Sequence, residues 1–251
     1  MSSVTCIEPG PVSTITLARG KVNALDDASV RELNAHFESL AGDAHTRAVV
    51  LTGQGSFFSF GLDVPALYDY SPEEFTRFLD RFTRLYLRIF EFPKPVIAAI
   101  NGHAIAGGLM LVTPCDYRVM AVGKARISLN EVTFGSSLFA GSLEILRGVV
   151  GHRNAERVAL GGQMYSAEEA KALGLVDEVA APVDVLRRAA EVATRMADPD
   201  PAAYAAIKHL LRDTTAARIR AEETSSIRRF VEIWYSPTTQ EQLRRIQIRA
   251  S

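Results

Sequence analysis

At 251 residues, 47% hydrophobic and 23% charged, the chain can bury one generous core or two unequal ones, and disorder is excluded as its default state. A formal net charge of −1 gives no global attraction for nucleic acid or an anionic membrane, so any polyanionic ligand has to be held locally. Cys6 and Cys115 are the only cysteines, too few for a disulfide framework and without CxxC spacing, which points to a reducing, cytoplasmic setting.

The first residues, Met1 to Ser13, carry Glu8, Pro9 and Pro11 but no basic start before an apolar run, so no secretory signal is read there. Val12 to Ala18 alternates branched and polar residues as a half-buried strand does. Asp26 is an N-cap candidate for a helix in which Val30, Leu33, Phe37 and Leu40 recur at helical spacing until Gly42 stops it. Arg47 to Thr52 and Val96 to Ile100 are expected to be more fully buried strands.

Between them, Ser71-Pro72-Glu73-Glu74 is a strong helix start: serine caps free amides, proline suits the first position, and Glu74 can complete a capping box. The stripe Phe75, Phe78, Phe82, Leu85 and Ile89 then runs to Phe92-Pro93, and reads either as plain core or as the wall of an acyl-chain pocket. Pro95 to Cys115 is a 21-residue stretch without charge. Asn101-Gly102, Gly107-Gly108 and Pro114 interrupt it, so two short buried elements joined by a turn are expected in place of a membrane span.

Ser166 to Glu169 opens another capped helix, closed by Gly174, and Val176 to Val179 predicts a short strand. From Pro182 the chain turns arginine-rich and helical. The expected architecture is α/β, with a core over residues 1–181 and a helical C-terminal subdomain over 182–251. The last residues, Arg249-Ala250-Ser251, match neither a prenylation box nor a peroxisomal address.

Several chemistries fail on their motifs. Gly53-Gln54-Gly55 lacks the third glycine of a dinucleotide fingerprint, and there is no phosphate-loop lysine motif. Ser59 has Gly61 after it but Phe57 before it, so no nucleophile elbow forms. The five histidines show no metal-ligand spacing, and no metal is expected.

What remains is a pair of small-residue turns, Phe58 to Asp63 and Asn101 to Met110, each following a strand and each able to aim a backbone amide at a ligand, together with a later acid, Glu131. The runs Asn101-Gly-His-Ala-Ile-Ala-Gly-Gly108, Cys115-Asp-Tyr-Arg118, Leu129-Asn-Glu-Val-Thr-Phe-Gly135, Gly151-His-Arg-Asn-Ala-Glu156 and Ala167 to Glu178 resemble, in order, the enoyl-CoA hydratase/isomerase family of the crotonase superfamily. The likeness spans roughly Lys21 to Val179.

That resemblance implies a spiral of strand-strand-helix turns and an acyl-CoA thioester as substrate. Coenzyme A enters as part of the substrate, with no separate cofactor, no nucleic acid and no membrane. It assigns the thioester oxyanion hole to the Leu62 and Gly107 amides and the acid/base role to Glu131. The CoA moiety would run along Lys21, Val22 and Ala24 and along Ser59, Gly61, Asp63 and Val64. The acyl pocket is expected from Leu67, Phe75, Phe78, Phe82, Met110 and Phe134, and the assembly as a homotrimer or dimer of trimers, with an oligomerisation role for the helical C-terminal subdomain.

Hydratases of this family place a second glutamate two residues after the Gly-Gly pair, where this chain has Met110. A thioether cannot exchange protons, so the expected reaction needs one base: moving a double bond from the 3 to the 2 position of an enoyl-CoA. The alternatives are hydration or thioester hydrolysis using Tyr68, Tyr70, His103, Ser136 or Ser137, and a non-catalytic acyl-CoA-binding protein.

Overall fold

The computed structural model describes residues 2–7 and 10–246; Met1, Glu8, Pro9 and the Arg249–Ser251 tail, read above for targeting signals, lie outside them. Strands β1 (Val4–Ile7) and β2 (Val12–Leu17) come first, then helix α1 (Asp27–Gly42). Strands β3 (Ala48–Gly53) and β4 (Phe57–Ser59) lead to helices α2 (Val64–Leu67) and α3 (Pro72–Glu91). Strands β5 (Val96–Ile100) and β6 (His103–Ile105) lead to α4 (Gly107–Val112), and β7 (Tyr117–Ala121) and β8 (Ile127–Ser128) lead to a 3-10 turn (Glu131–Phe134) and α5 (Ala140–Gly161). Helix α6 (Ala167–Leu173), β9 (Glu178–Ala180), α7 (Val185–Ala197), α8 (Pro201–Trp234) and α9 (Pro237–Leu243) complete the chain.

The first strand of each turn joins a six-stranded sheet of order β1-β2-β3-β5-β7-β9, parallel except where β1 meets β2. The second strands form a separate parallel sheet, β4-β6-β8. This is the expected α/β spiral of strand-strand-helix turns. Parallel sheets bury both faces, which is why β3 and β5 read as continuous apolar runs and are buried at every position. Strand β2, near the edge, keeps the alternating burial that its sequence shows.

The local start signals work as chemistry dictates. Asp26 accepts from the Ser29 amide, and Ser71 with Glu74 and Ser166 with Glu169 close reciprocal capping boxes. Gly174 ends α6 in the left-handed conformation expected of it. Two strand ends differ from expectation. Arg47 stays outside β3, its guanidinium donating to the Ala197 and Pro199 carbonyls at 2.8 and 3.1 Å. Leu175 and Val176 are buried but unpaired, and only Glu178–Ala180 joins β7, because the Asp177 carboxylate takes the Arg118 amide.

The uncharged stretch 95–115 resolves into β5, β6 and the six-residue α4, and among the described residues no helix is long and apolar enough to cross a membrane. After residue 182, α7 packs across β3, β5 and β7, while α8 lies against α3 and α5. A buried ion cluster ties α8 to the sheet: Asp116 meets Lys208 at 2.6 Å and Arg212 at 2.8 Å, and accepts from the Val96 amide at 2.8 Å.

Candidate active site

The chain leaving β4 runs beside the loop after β2. The Phe60 amide donates to the Val22 carbonyl at 2.9 Å, the Leu25 amide to the Gly61 carbonyl at 2.7 Å, and the Asp63 amide to the Leu25 carbonyl at 2.9 Å. In a trans peptide the N–H points opposite to the C=O, and the Gly61 carbonyl faces this loop, so the Leu62 amide is directed away from it. The chain leaving β6 turns at Ala106, whose φ of 51° and ψ of −122° are rare for any residue with a side chain. That turn starts α4, where the Gly107 amide belongs to the first turn and has no acceptor within the helix. A side chain on Gly108 would begin 2.3 Å from the Ser59 carbonyl oxygen, so only glycine lets α4 sit on β4. The Leu62 side chain reaches to 3.4 Å from where a Gly107 side chain would begin, which places the two turns side by side.

Both turns open on one cavity of about 190 Å³. Its lining includes Leu62, Val64, Phe82, Gly107 and Met110, together with Glu131, Phe134 and Ser136, and the aromatic residues Phe139, Phe230 and Trp234. Glu131 is carried by the 3-10 turn that follows β8, and that turn is fixed from two sides. The Ser136 amide donates to the Glu131 carbonyl at 2.9 Å, and the Thr239 hydroxyl of α9 donates to the Gly135 carbonyl at 2.5 Å.

Glu131 is 4% exposed, and its Oε2 has no hydrogen-bond partner among the described residues. Burial pushes its carboxyl up to about 8, opposed only by its own backbone amide. A carboxyl held near neutrality in an apolar cavity, without an ion-pair partner, can both accept and return a proton. Glu131 is the only ionisable residue in the cavity lining among the described residues.

Of the residues expected at the acyl pocket, Phe82, Met110 and Phe134 line the cavity, and Leu67, Phe75 and Phe78 do not. The stripe on α3 turns one ring inward; Phe75 packs against Trp234 at 4.4 Å and against Phe78, and so forms core behind the wall. Helical periodicity reports that a face is buried, not what it is buried against.

The two segments expected to hold CoA are brought together by the pairing described above. Within them, Lys21 is exposed, Val22 half-buried and Ala24 buried. Ser59 is fully buried, donating to the Asn23 carbonyl at 2.8 Å and accepting from the Gly61 amide at 3.1 Å. Asp63 caps α2 through the Ala66 amide and is ion-paired with Arg19, which also meets Asp26 at 2.9 Å. The side chains of Ser59 and Asp63 are thus committed to holding the two segments in place.

Among the residues considered for other chemistries, only Ser136 lines the cavity. Tyr68 accepts from Arg244 at 2.6 Å, and His103 packs on Phe57 with ring centres 4.8 Å apart. No local pattern marks Phe139, Phe230 and Trp234 as cavity residues, because they arrive from the N-cap of α5 and from α8. Among the described residues no group of His, Cys, Asp and Glu is placed to hold a metal ion.

A family profile described as enoyl-CoA hydratase/isomerase matches residues 8–245. The mitochondrial enoyl-CoA delta isomerase 1 of Mus musculus is 32% identical over 238 residues, covering 94% of this chain and 82% of that protein. A putative enoyl-CoA hydratase of Thermus thermophilus is 36% identical over 209 residues, covering 82% of each. The crystal structure of human mitochondrial delta3-delta2-enoyl-CoA isomerase superposes with a TM-score of 0.90 at 30% identity, over 96% of this chain and 95% of that one. With that extent of match, and with the spiral fold already in place, the chain belongs to the enoyl-CoA hydratase/isomerase family and is an enzyme of acyl-CoA chemistry.

Proposed function

We propose that the chain isomerises a 3-enoyl-CoA to a 2-enoyl-CoA with Glu131 as the sole proton carrier. The observation that carries this reading is the cavity lining, in which Glu131 is the one group able to exchange protons near neutral pH and Met110 stands where a second carboxylate would serve hydration. The Glu131 carboxylate takes a proton from carbon 2. The electron pair of that C–H bond moves toward the thioester, and the resulting enolate oxygen accepts hydrogen bonds from the Leu62 and Gly107 amides. The protonated Glu131 then delivers the same proton to carbon 4, the double bond settles between carbons 2 and 3, and the carboxylate is regenerated. Atoms and charge balance without a cofactor.

In this reading the CoA moiety follows the 21–24 and 59–64 segments, with exposed Lys21 available to phosphate. Ile207, Leu210 and Leu211 on α8 are 59%, 78% and 77% exposed, an apolar face suited to contacts between subunits of a trimer or dimer of trimers. The hydroxyl of Ser136, buried on the cavity without a partner, favours a second reading, hydration, in which it would hold the attacking water.

The deciding experiment supplies a 3-enoyl-CoA to the purified protein and follows the absorbance of the conjugated thioester, then repeats it with Glu131→Gln. Isomerisation that falls by roughly 10²-fold or more in the variant is expected for loss of a general acid/base. Equal rates in the two proteins would remove Glu131 from the mechanism. Formation of 3-hydroxyacyl-CoA from a 2-enoyl-CoA at a higher rate than isomerisation would select hydration.

A further inference from the structure

Besides Glu131, three residues of the cavity wall hold buried polar atoms without a hydrogen-bond partner among the described residues: Asn130 through Oδ1, Ser136 through Oγ and Trp234 through Nε1. The indole is the most telling. Trp234 is 1% exposed and packed on Phe75 and Phe230, so its N–H is out of reach of bulk water. A buried donor left unanswered forfeits its hydration without compensation, and native structures rarely leave one so. An indole N–H can only donate, so whatever answers it has to be an acceptor. A purely hydrocarbon chain offers none.

We infer that the acyl site takes a short chain bearing a neutral hydrogen-bond-accepting oxygen, a keto, hydroxyl or ether group, which Trp234 Nε1 recognises, with Ser136 Oγ of the same cavity lining as a further partner. This rests on the cavity being the acyl site of the proposed function, and adds the class of acyl group. Neutrality follows from the lining: among the described residues no lysine, arginine or histidine contributes to it, and a second carboxylate would be buried unpaired near Glu131. Shortness follows from size, since about 190 Å³ is close to the roughly 150 Å³ of a cavity that takes up one benzene molecule. The hydroxyl of Ser136 can turn to donate or accept, so it serves a keto oxygen and a hydroxyl alike.

The test uses saturated ligands, which neither isomerise nor hydrate, so it reads the pocket independently of the reaction. Hexanoyl-CoA and its 4-keto and 5-keto analogues are titrated calorimetrically into the wild-type protein and into Trp234→Phe. At least one keto analogue is expected to bind about fivefold more tightly than hexanoyl-CoA to the wild type, the worth of one neutral hydrogen bond, and the ratio is expected to fall toward one in the variant. Equal affinities in the wild type, meaning that solvent already answers the indole, would overturn the inference, as would a preference that survives Trp234→Phe. If that variant does not fold, Ser136→Ala is read in its place; its ratio should fall, and an unchanged ratio overturns the inference. A fivefold preference in a protein that fails to isomerise would sink the isomerase reading and leave the pocket assignment standing.

Discussion

A methyl group placed on Gly61 would lie 2.8 Å from the amide nitrogen of Gly107 and equally close to the Ile105 carbonyl oxygen. Gly61 also has a φ of 95°, which only glycine adopts without strain. The two residues therefore set the spacing between the Leu62 and Gly107 amides. Gly61→Ala should spread them and lower kcat/KM on a 3-enoyl-CoA by on the order of 10²-fold, the cost of one oxyanion donor. A variant that retains its melting temperature and more than a third of wild-type kcat/KM would show that these amides do not hold the oxyanion.

The elevated Glu131 carboxyl makes both activity and stability depend on pH. In the proposed mechanism the base is the carboxylate, so kcat/KM should rise through about pH 8 and level off above it; a flat profile between pH 6 and 9 would rule this out. The stability effect has the opposite sense. The folded state keeps its proton up to about pH 8 while the unfolded glutamate loses it near its ordinary value of 4.5, so stability falls as pH rises across that window. Glu131→Gln removes the penalty. It should melt close to the wild type at pH 5 and distinctly above it at pH 9, by a few kcal/mol in unfolding free energy. Parallel melting temperatures at both pH values would contradict the burial argument.

Met110 is 3% exposed and shares the cavity with Glu131. Met110→Glu should raise hydration of a 2-enoyl-CoA by on the order of tenfold or more, because it supplies the missing acid/base. The cost is a second buried carboxyl beside the first, visible as a lower melting temperature at pH 8. Detection of no 3-hydroxyacyl-CoA from a folded variant would show that position 110 alone does not select the reaction.

Asp116 lies buried among Lys208, Arg212 and the Val96 amide. Asp116→Ala should destabilise the protein by about 3–5 kcal/mol, since it strips buried Lys208 and half-buried Arg212 of their carboxylate and leaves them with uncharged backbone carbonyls. Chemical denaturation would measure it, and a loss below about 1 kcal/mol would mean that the cluster is no more than a surface ion pair.

The parts legible in the sequence are those whose causes are local. Asp26, Ser71 and Ser166 cap their helices with atoms three residues away, and the all-apolar β3 and β5 follow from burial on both faces. Strands β4, β6 and β8, two or three residues each, exist only through pairing with one another and leave no periodic trace. The same distinction holds at the site. Glu131 and the two glycine turns could be named because they lie on contiguous motifs, whereas the choice of Phe82 over Phe75 and Phe78 is made by α8, more than a hundred residues further on. The bonds of Ser59 and Asp63 were not legible in their own segment, since Asn23 and Arg19 reach them across the fold.

The cavity has two owners. Glu131 and the glycine turns come from connections that follow β4, β6 and β8, while Phe230 and Trp234 come from the last two turns of one long helix. Under the proposed function, taste and chemistry are thus inherited separately: exchanging a few rings on that helix would retune which acyl groups are admitted without disturbing the residues that react with them. New substrates can be explored by this scaffold one side chain at a time.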